Sequence, residues 1–337
     1  MMGIISAPAR VYRTHPILFS CSIALLVFGL LCARHLLHDA WTLAALPFLW
    51  FRHADRFMIS AEADGFDLSF ANYSEHQVSA APFADRVPPV FHHISLGSGA
   101  ASHSKWMDVR QDCLDMHPGW EAFLWTDDMA DSFVAKQFPE LKHMWDTYRY
   151  PIQKIDALRY MVLYHYGGIV LDMDLQCKRA LGPLRRFEFV STEAHPAGFS
   201  IGFMMASKRN AFVGKLVRNL PRYNRNWLGL PYPAVMFSTG CHYASTIHAF
   251  QHNRSELKIL AGPKDNFKLH SLNGPVSTPI FNHLGSSSWH SYDAAMIVTI
   301  GKFGGGKTVL LLVGAVGVTF FVIRRTKRRR EPVMLKA

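Results

Sequence analysis

Cysteine is scarce in this chain, five among 337 residues, and two of the five, Cys21 and Cys32, fall inside an uncharged apolar run near the N-terminus. At most one disulfide can form among the other three, Cys113, Cys177 and Cys241, so a fold stapled by several bridges is excluded and the pairing stays open. No internal repeat is visible, which excludes a solenoid. Charge is sparse as well, 18% of residues, and its positive excess is confined to the ends. Of the formal net charge of +11, residues 324–337 supply seven basic and one acidic side chains and Arg10 and Arg13 two more, leaving +3 for everything between. The basic excess therefore belongs mainly to the tails and is poor evidence for a nucleic-acid surface, which needs a basic stripe on the folded domain, and no nucleic-acid partner is expected.

What the ends do have is apolar length. Pro16 to Ala33 carries no charge and would reach about 27 Å as a helix against about 30 Å of hydrocarbon, enough to span. A signal peptide is the rival, but no convincing small-x-small cleavage site follows. Thr308 to Ile323 is a second uncharged run, about 24 Å long as a helix, with Lys307 and Arg324 placed to snorkel. Both runs have their basic flank on the outer side of the chain, so the positive-inside rule puts both termini in the cytosol and the middle in the lumen. The expected organisation is a cytosolic tail (1–15), a transmembrane helix (16–33), an interfacial segment and stem (34–86), a lumenal domain (87–302), a second transmembrane helix (303–323) and a basic cytosolic tail (324–337). Ala40 to Phe51 is apolar too, yet reaches only about 18 Å, and is read as interfacial or packed against the membrane. A third span there would put the termini on opposite sides. Phe57 to Ala84 is polar and aperiodic, as a stem would be. The sequons Asn72-Tyr73-Ser74 and Asn253-Arg254-Ser255 are compatible with a lumenal domain, although two are near the chance level.

The central part is long enough for one large α/β domain. Strand-like runs at Val90–Leu96, Ala122–Trp125, Ile169–Leu171, Phe189–Val190 and Met296–Ile300 alternate with helical patterns. The most informative stretch is Tyr150 to Asp174, YPIQKIDALRYMVLYHYGGIVLDMD. Pro151 opens a helix whose Ile155, Leu158, Val162 and Tyr166 form one core face, while Asp156 and Arg159 share another and can act on one ligand. Gly167 and Gly168 end it, a short apolar strand follows, and the chain runs directly into Asp172-Met173-Asp174. The carboxyl end of a strand is where ligands bind in open α/β sheets. A pair of carboxylates there suits a hard divalent cation, Mn²⁺ or Mg²⁺, that completes its shell with phosphate oxygens and water and neutralises a departing diphosphate. An Asp-x-Asp alone usually marks a solvated turn. The strand, the glycine pair and the upstream Asp-x-x-Arg favour the metal-diphosphate reading instead.

Two further motifs point elsewhere and are set aside. GKFGGGKT (Gly301 to Thr308) fits the phosphate-cradling loop of nucleotide triphosphatases, but it opens onto a uniformly apolar run with too little chain behind it, so a glycine hinge entering a membrane helix fits better. GSGAAS (Gly97 to Ser102) lacks the third glycine of a dinucleotide fingerprint.

Asp156-x-x-Arg159-Tyr160, the Tyr-Gly-Gly ending at Gly168 and Asp172-x-Asp174 together resemble glycosyltransferase family 32 and the related glucosylating toxins, over most of residues 88–293. VPPVFHHISLG (Val87 to Gly97) and HPGWEAFLWTDD (His117 to Asp128) sit where the family has its first two strands. MFSTGCHYAS (Met236 to Ser245) and GSSSWH (Gly285 to His290) resemble the acceptor-side and closing motifs of its fungal members, in particular the inositol phosphorylceramide mannosyltransferase branch. The chain departs from the family at Val170, where a Tyr is usual, at Ser95 in place of a Trp, and at Ile201 in place of an Asn. The resemblance implies a single nucleotide-diphosphate-sugar-binding domain of the GT-A type with a Rossmann-like mixed sheet. It implies GDP-mannose as donor, retention of configuration, inositol phosphorylceramide as membrane acceptor, a Golgi membrane and a small membrane regulatory subunit as partner. Asp174 would hold Mn²⁺, Asp172 would reach ribose or metal through water, and Asp156 and Arg159 would grip the sugar hydroxyls and the donor diphosphate. A late segment of the family folds back over the metal, so His290, or less readily His283, would complete its shell, and Trp289 would cover the diphosphate or simply pack in the core. Tyr223 to Phe237, rich in aromatics, would line an acceptor groove or pack internally. Mannosylation of protein N-glycans and a catalytically idle membrane regulator of the same fold are the alternatives.

Overall fold

The computed structural model describes residues 16–73, 83–97, 104–225, 227, 229–285 and 293–295. Two compact units separate, one of residues 1–225 and 235–286, the other of 226–234 and 287–337. In the smaller unit the Leu230 amide donates to the Trp227 carbonyl at 2.9 Å and the Tyr232 amide to Asp293 Oδ2 at 2.7 Å.

The larger unit begins with α1 (Pro16–Phe51), α2 (Ala61–Asp64), β1 (Val90–Ile94), α3 (Ser104–Asp115), β2 (Glu121–Trp125), α4 (Asp127–Gln137) and α5 (Lys142–Asp146). Then come α6 (Pro151–Tyr166), β3 (Gly168–Leu171), β4 (Leu175–Cys177), β5 (Phe189–Glu193), β6 (Phe199–Ala206), α7 (Ala211–Tyr223), α8 (Pro231–Ser238, of which only the part from Val235 on belongs to this unit), α9 (Cys241–Ala249), β7 (Leu257–Leu260), β8 (Val276–Ser277) and β9 (Phe281–His283). The main sheet has the order β2-β1-β3-β6-β5-β7, and a smaller sheet the order β4-β9-β8. β1 pairs in parallel with β2 and β3, β5 pairs in parallel with β7, and β6 runs antiparallel between β3 and β5. The sheet is therefore mixed, as expected. The connection from β1 leads outward to β2, and the next returns across to β3. This reversal opens a crevice between the carboxyl ends of β1 and β3, the position where α/β sheets bind ligands.

Apolar side chains cover both faces of the sheet. On one face Leu158, Val162, Leu216 and Tyr243 from α6, α7 and α9 pack with Val170, Met204 and Phe189. The other face gathers Phe91, Ile169, Leu171, Phe203 and Phe281 with Phe66 and Phe70. Those last two come from the stretch expected to be a stem. Phe57, Ile59, Phe66 and Phe70 are all buried, and Met58 bridges in parallel to Ile259, so Phe57–Tyr73 folds onto the domain instead of linking it to anything. The irregular spacing gives no periodic signal, because Phe57 packs on one face of the sheet while Phe66 and Phe70 pack together on the other.

The strands at Val90, Ala122, Ile169 and Phe189 form within a residue or three of the expected limits, while Met296–Ile300 lies outside the described residues. Among the described residues no single helix is long and apolar enough to cross a membrane. One pair, Ser20–Gly29 and Arg34–Phe51, passes by length and composition together, its two legs inclined at 56°. Both legs belong to α1, so the expected span and the expected interfacial segment are one bent helix. Thr308–Ile323 lies outside the described residues.

Candidate active site

Helix α6 delivers the first two site residues. Pro151 occupies its first turn, where a missing N–H costs nothing, and the Tyr150 amide donates to Gln153 Oε1 at 3.1 Å. Gln153 also donates through Nε2 to Ser238 Oγ at 2.7 Å, which fixes the start of α6 against the end of α8. The helix stops where the Gly167 amide returns to the Leu163 carbonyl, and both Gly167 and Gly168 take positive φ, 72° and 97°. A Cβ on Gly168 would lie 2.5 Å from the Val90 carbonyl oxygen. The glycine pair is thus what lets β3 enter the sheet directly beside β1.

Asp156 and Arg159, 2% and 7% exposed, lie one helical turn apart and are joined by a hydrogen bond from Nη1 to Asp156 Oδ1. Nη2 of the same guanidinium donates to Asp172 Oδ1 at 2.5 Å. Arg159 therefore bridges two carboxylates, one from the helix and one from the end of β3, a geometry its planar fork favours. Thr239 Oγ1 donates to the other oxygen, Asp156 Oδ2, at 3.0 Å, and Tyr160 hydroxyl to the Thr239 carbonyl at 2.5 Å. Arg159 Nε has no hydrogen-bond partner among the described residues. Asp172 keeps 33% of its side-chain surface exposed, so it is the member of this chain that solvent or a ligand reaches. Its Oδ2 stands against Gly202, where a Cβ would lie at 2.8 Å, and its amide donates to the Gly202 carbonyl at 2.8 Å.

Asp174 faces a second group. β4 pairs antiparallel with β9 in the register Leu175↔His283, and the Leu284 amide donates to the Asp174 carbonyl at 2.9 Å. This places His283 Nε2 3.5 Å from Asp174 Oδ2. His283, the less favoured histidine in the sequence, is thus the imidazole beside Asp174, and its signal was weak because β9 reaches the site only through long-range pairing. Trp289 and His290 lie outside the described residues.

Charge at the site follows from these contacts. Burial raises the Asp156 carboxyl to about 6, against the lowering effect of Arg159 and of the Thr239 hydroxyl. Burial also raises Asp172, with Arg159 opposing it and Asp174 adding to it. Burial works against the charge of Arg159, but Asp172 and Asp156 outweigh it and the guanidinium stays protonated. For His283 burial is likewise outweighed, by the bond and charge of Asp174, so the imidazole is raised. Three carboxylates face one permanent cation, which leaves a net negative site.

That charge and the paired oxygen and imidazole of Asp174 and His283 suit a Mn²⁺- or Mg²⁺-like ion. Among the described residues no group of three or more His, Cys, Asp or Glu side chains is arranged to hold a metal ion, so an ion there would take most of its shell from phosphate oxygens and water. Of the three departures noted in the sequence, Val170 is 1% exposed and part of the core, Ile201 is buried, and Ser95 directly follows β1 with an Oγ that has no partner among the described residues.

A buried Asp-x-x-Arg is thus bridged to an Asp-x-Asp at the switch point of a mixed α/β sheet, the arrangement that the resemblance to a glycosyltransferase implies. Residues 103–190 match the model of the glycosyltransferase sugar-binding region containing the DXD motif, so the chain carries a glycosyltransferase domain. It is 35% identical over 58% of its length, and 51% of the relative's, to mannosyl phosphorylinositol ceramide synthase CSH1 of Saccharomyces cerevisiae. It is 33% identical to SUR1, the synthase of the same name from that yeast, over 65% of this chain and 56% of the relative. Inositol phosphoceramide mannosyltransferase 1 of Schizosaccharomyces pombe is 29% identical over 82% of this chain and 85% of its own. The chain thus spans about half the length of the two budding-yeast relatives. Among solved structures the PaToxG glycosyltransferase aligns with a TM-score of 0.39 and 17% identity, over 53% of this chain and 73% of that one.

Proposed function

We propose that this protein is a metal-dependent, retaining mannosyltransferase that moves mannose from GDP-mannose to inositol phosphorylceramide in a Golgi-type membrane, its domain lumenal and both termini cytosolic. The observation that carries this reading is the double bridge of Arg159 to Asp156 and Asp172 beside Asp174 and His283. The choice of sugar and acceptor is supported by the names of the relatives.

In this reading Arg159 holds the donor diphosphate. Its Nε–H is uncommitted among the described residues, and Asp156 fixes the guanidinium plane. Both Asp156 oxygens are engaged inside the protein, by Arg159 and Thr239. Asp156 therefore orients Arg159 and does not grip the sugar directly, a refinement of what the motif alone implies. Asp174 and His283 would hold the divalent ion, and the part-exposed Asp172 would meet the ribose or reach the ion through water. A bound Mn²⁺ or Mg²⁺ supplies charge neutralisation for the leaving diphosphate. The acceptor hydroxyl enters on the face the diphosphate leaves, so no separate nucleophile is assigned.

The test is to incubate the purified chain and Mn²⁺ with a panel of sugar nucleotides, with and without inositol phosphorylceramide. GDP-mannose should be consumed, faster with the lipid, and the product should be mannosylated inositol phosphorylceramide. Consumption of another donor, or normal sphingolipids with shortened N-glycans in cells lacking the protein, would overturn the assignment.

A further inference from the structure

The second leg of α1 presents two opposite faces. Asp39, Thr42, Leu46 and Trp50 follow one another at spacings of three and four, and all are buried. Thr42 Oγ1 lies 3.0 Å from His242 Nε2, and the Trp50 ring centroid lies 4.9 Å from that of His248 and 5.3 Å from that of Phe57. Arg254 Nη1 donates to the Trp50 carbonyl at 3.2 Å and closes the end of the helix. This face belongs to the domain.

Leu37, Trp41, Ala44, Phe48 and Phe51 recur at spacings of four and three on the opposite side. Leu37, Trp41, Phe48 and Phe51 are 54%, 52%, 82% and 48% exposed. The patch continues onto the domain, because Trp41 stacks at 5.8 Å on Phe250, which follows α9 and is itself 46% exposed. A helix that is apolar all round is ordinarily covered all round, and an apolar patch spread over two elements marks an interaction surface.

We propose that this face rests in the interfacial layer of a lipid bilayer. Three features select the bilayer over a second copy of the chain. The first leg of the same helix exposes apolar side chains as well, Ile23, Leu25, Val27 and Phe28, and a 56° bend separates the two legs. A first leg that crosses the hydrocarbon thus delivers a second leg leaning along the headgroups. The patch is rimmed by Arg34 and His35 at one end and Arg52 and His53 at the other, while the sole acid between them, Asp39, is turned into the domain. Basic ends with an apolar, aromatic centre suit anionic headgroups over acyl chains. Trp41, finally, has the amphipathic ring that settles at headgroup depth.

Docking of this face holds α9 beside the bilayer, and Thr239, two residues before α9, hydrogen-bonds the site carboxylate Asp156. The crevice is then kept at a fixed height near the headgroups, which raises the effective concentration of a lipid acceptor. Only this consequence rests on the proposed acceptor; the contact with lipid stands for any acceptor.

The test uses the full chain reconstituted in phosphatidylcholine and phosphatidylinositol vesicles whose acyl chains are brominated near the headgroup. Tryptophan fluorescence should be quenched, and Trp41→Phe should remove a distinct part of that quenching. Phe48→Asp should lower transfer to inositol phosphorylceramide in bilayers by roughly tenfold, the loss of one buried aromatic contact, with donor hydrolysis and transfer to detergent-dispersed acceptor unchanged. Quenching identical in the wild type and Trp41→Phe would overturn the proposal, as would disulfide-linked dimers formed through Phe48→Cys in place of lipid contact. If Trp41 is quenched but no lipid is mannosylated, the docking stands and the acceptor assignment falls.

Discussion

Thr239 donates a 3.0 Å hydrogen bond to Asp156, and so ties the turn before α9 to the helix that presents Arg159. The Asp156 carboxyl sits at about 6, raised by burial and held down by Arg159 and by this hydroxyl. Ionised Asp156 is the form that fixes Arg159, so activity should rise with pH through about 6. Thr239→Val keeps the side-chain shape and removes one lowering contact. Its acid limb should therefore move to higher pH, with kcat at the alkaline plateau little changed. A pH–rate profile of both proteins checks this, and an unmoved limb would assign the ionisation elsewhere.

Asp174 and Asp172 should separate experimentally. Asp174→Ala removes the carboxylate next to His283 and should abolish transfer and weaken Mn²⁺ binding measured by calorimetry, with the fold intact. His283→Ala should weaken Mn²⁺ binding more modestly. Asp172→Asn breaks a charged contact with Arg159 and should act mainly through donor binding. Unchanged transfer in excess EDTA, or full activity in Asp174→Ala, would remove the metal from the mechanism.

Much of this site is local in sequence and was legible there. The Asp156-x-x-Arg159 spacing is a helical turn, the glycine pair is a forced stop, and the apolar strand can only deliver Asp172 and Asp174 to its end. Legibility fails where a contact spans the chain. His283 meets Asp174 through pairing of strands over a hundred residues apart, and Thr239 meets Asp156 from 83 residues away. β6 is buried along nearly its whole length, and its continuous apolar run does not alternate. Likewise the apolar stretch from Ala40 to Phe51 hid two faces, because an all-round apolar helix has no polar side to set its orientation.

Gly168→Ala should be costly in a way Gly119→Ala is not. Both glycines have positive φ, 97° and 80°, so either substitution meets backbone strain of about 1 kcal/mol or more. At Gly119 a Cβ meets nothing within 4 Å, whereas at Gly168 it meets the Val90 carbonyl of β1 at 2.5 Å. Thermal unfolding should therefore show Gly168→Ala the less stable by roughly 2 kcal/mol, with donor affinity falling as β3 shifts. Equal stability would mean that β1 yields.

Five histidines, His92, His93, His242, His248 and His270, are pushed by burial to about 4, 3, 4, 3 and 4. Folded values below the ordinary 6.5 mean that their contribution to stability is present above pH 6.5 and lost as pH falls toward 3–4. Asp156, Asp172 and Glu193 are raised by burial and work the other way over part of this range, but they are fewer. The unfolding midpoint should thus decline steadily below pH 6.5. A flat midpoint between pH 7 and 4.5 would show that these rings take up protons without leaving the fold.

Cys113 and Cys177 form the disulfide that the sequence left undecided, joining α3 to the strand that starts directly after Asp174. Both are buried, and Cys241 remains a free thiol. The bridge closes a loop of sequence separation 64, for which the lost freedom of the unfolded chain corresponds to roughly 4 kcal/mol. Such a bond persists in an oxidising compartment. Peptide mapping without reductant should recover Cys113 and Cys177 in one cross-linked fragment. The double variant Cys113→Ser with Cys177→Ser should lower stability by about that amount, and, because Cys177 lies three residues past Asp174, should also weaken Mn²⁺ binding. Cys241→Ser should leave both unchanged. A cross-linked fragment containing Cys241 would overturn the pairing, and a double variant as stable as the wild type would show that β4 is held by its packing alone.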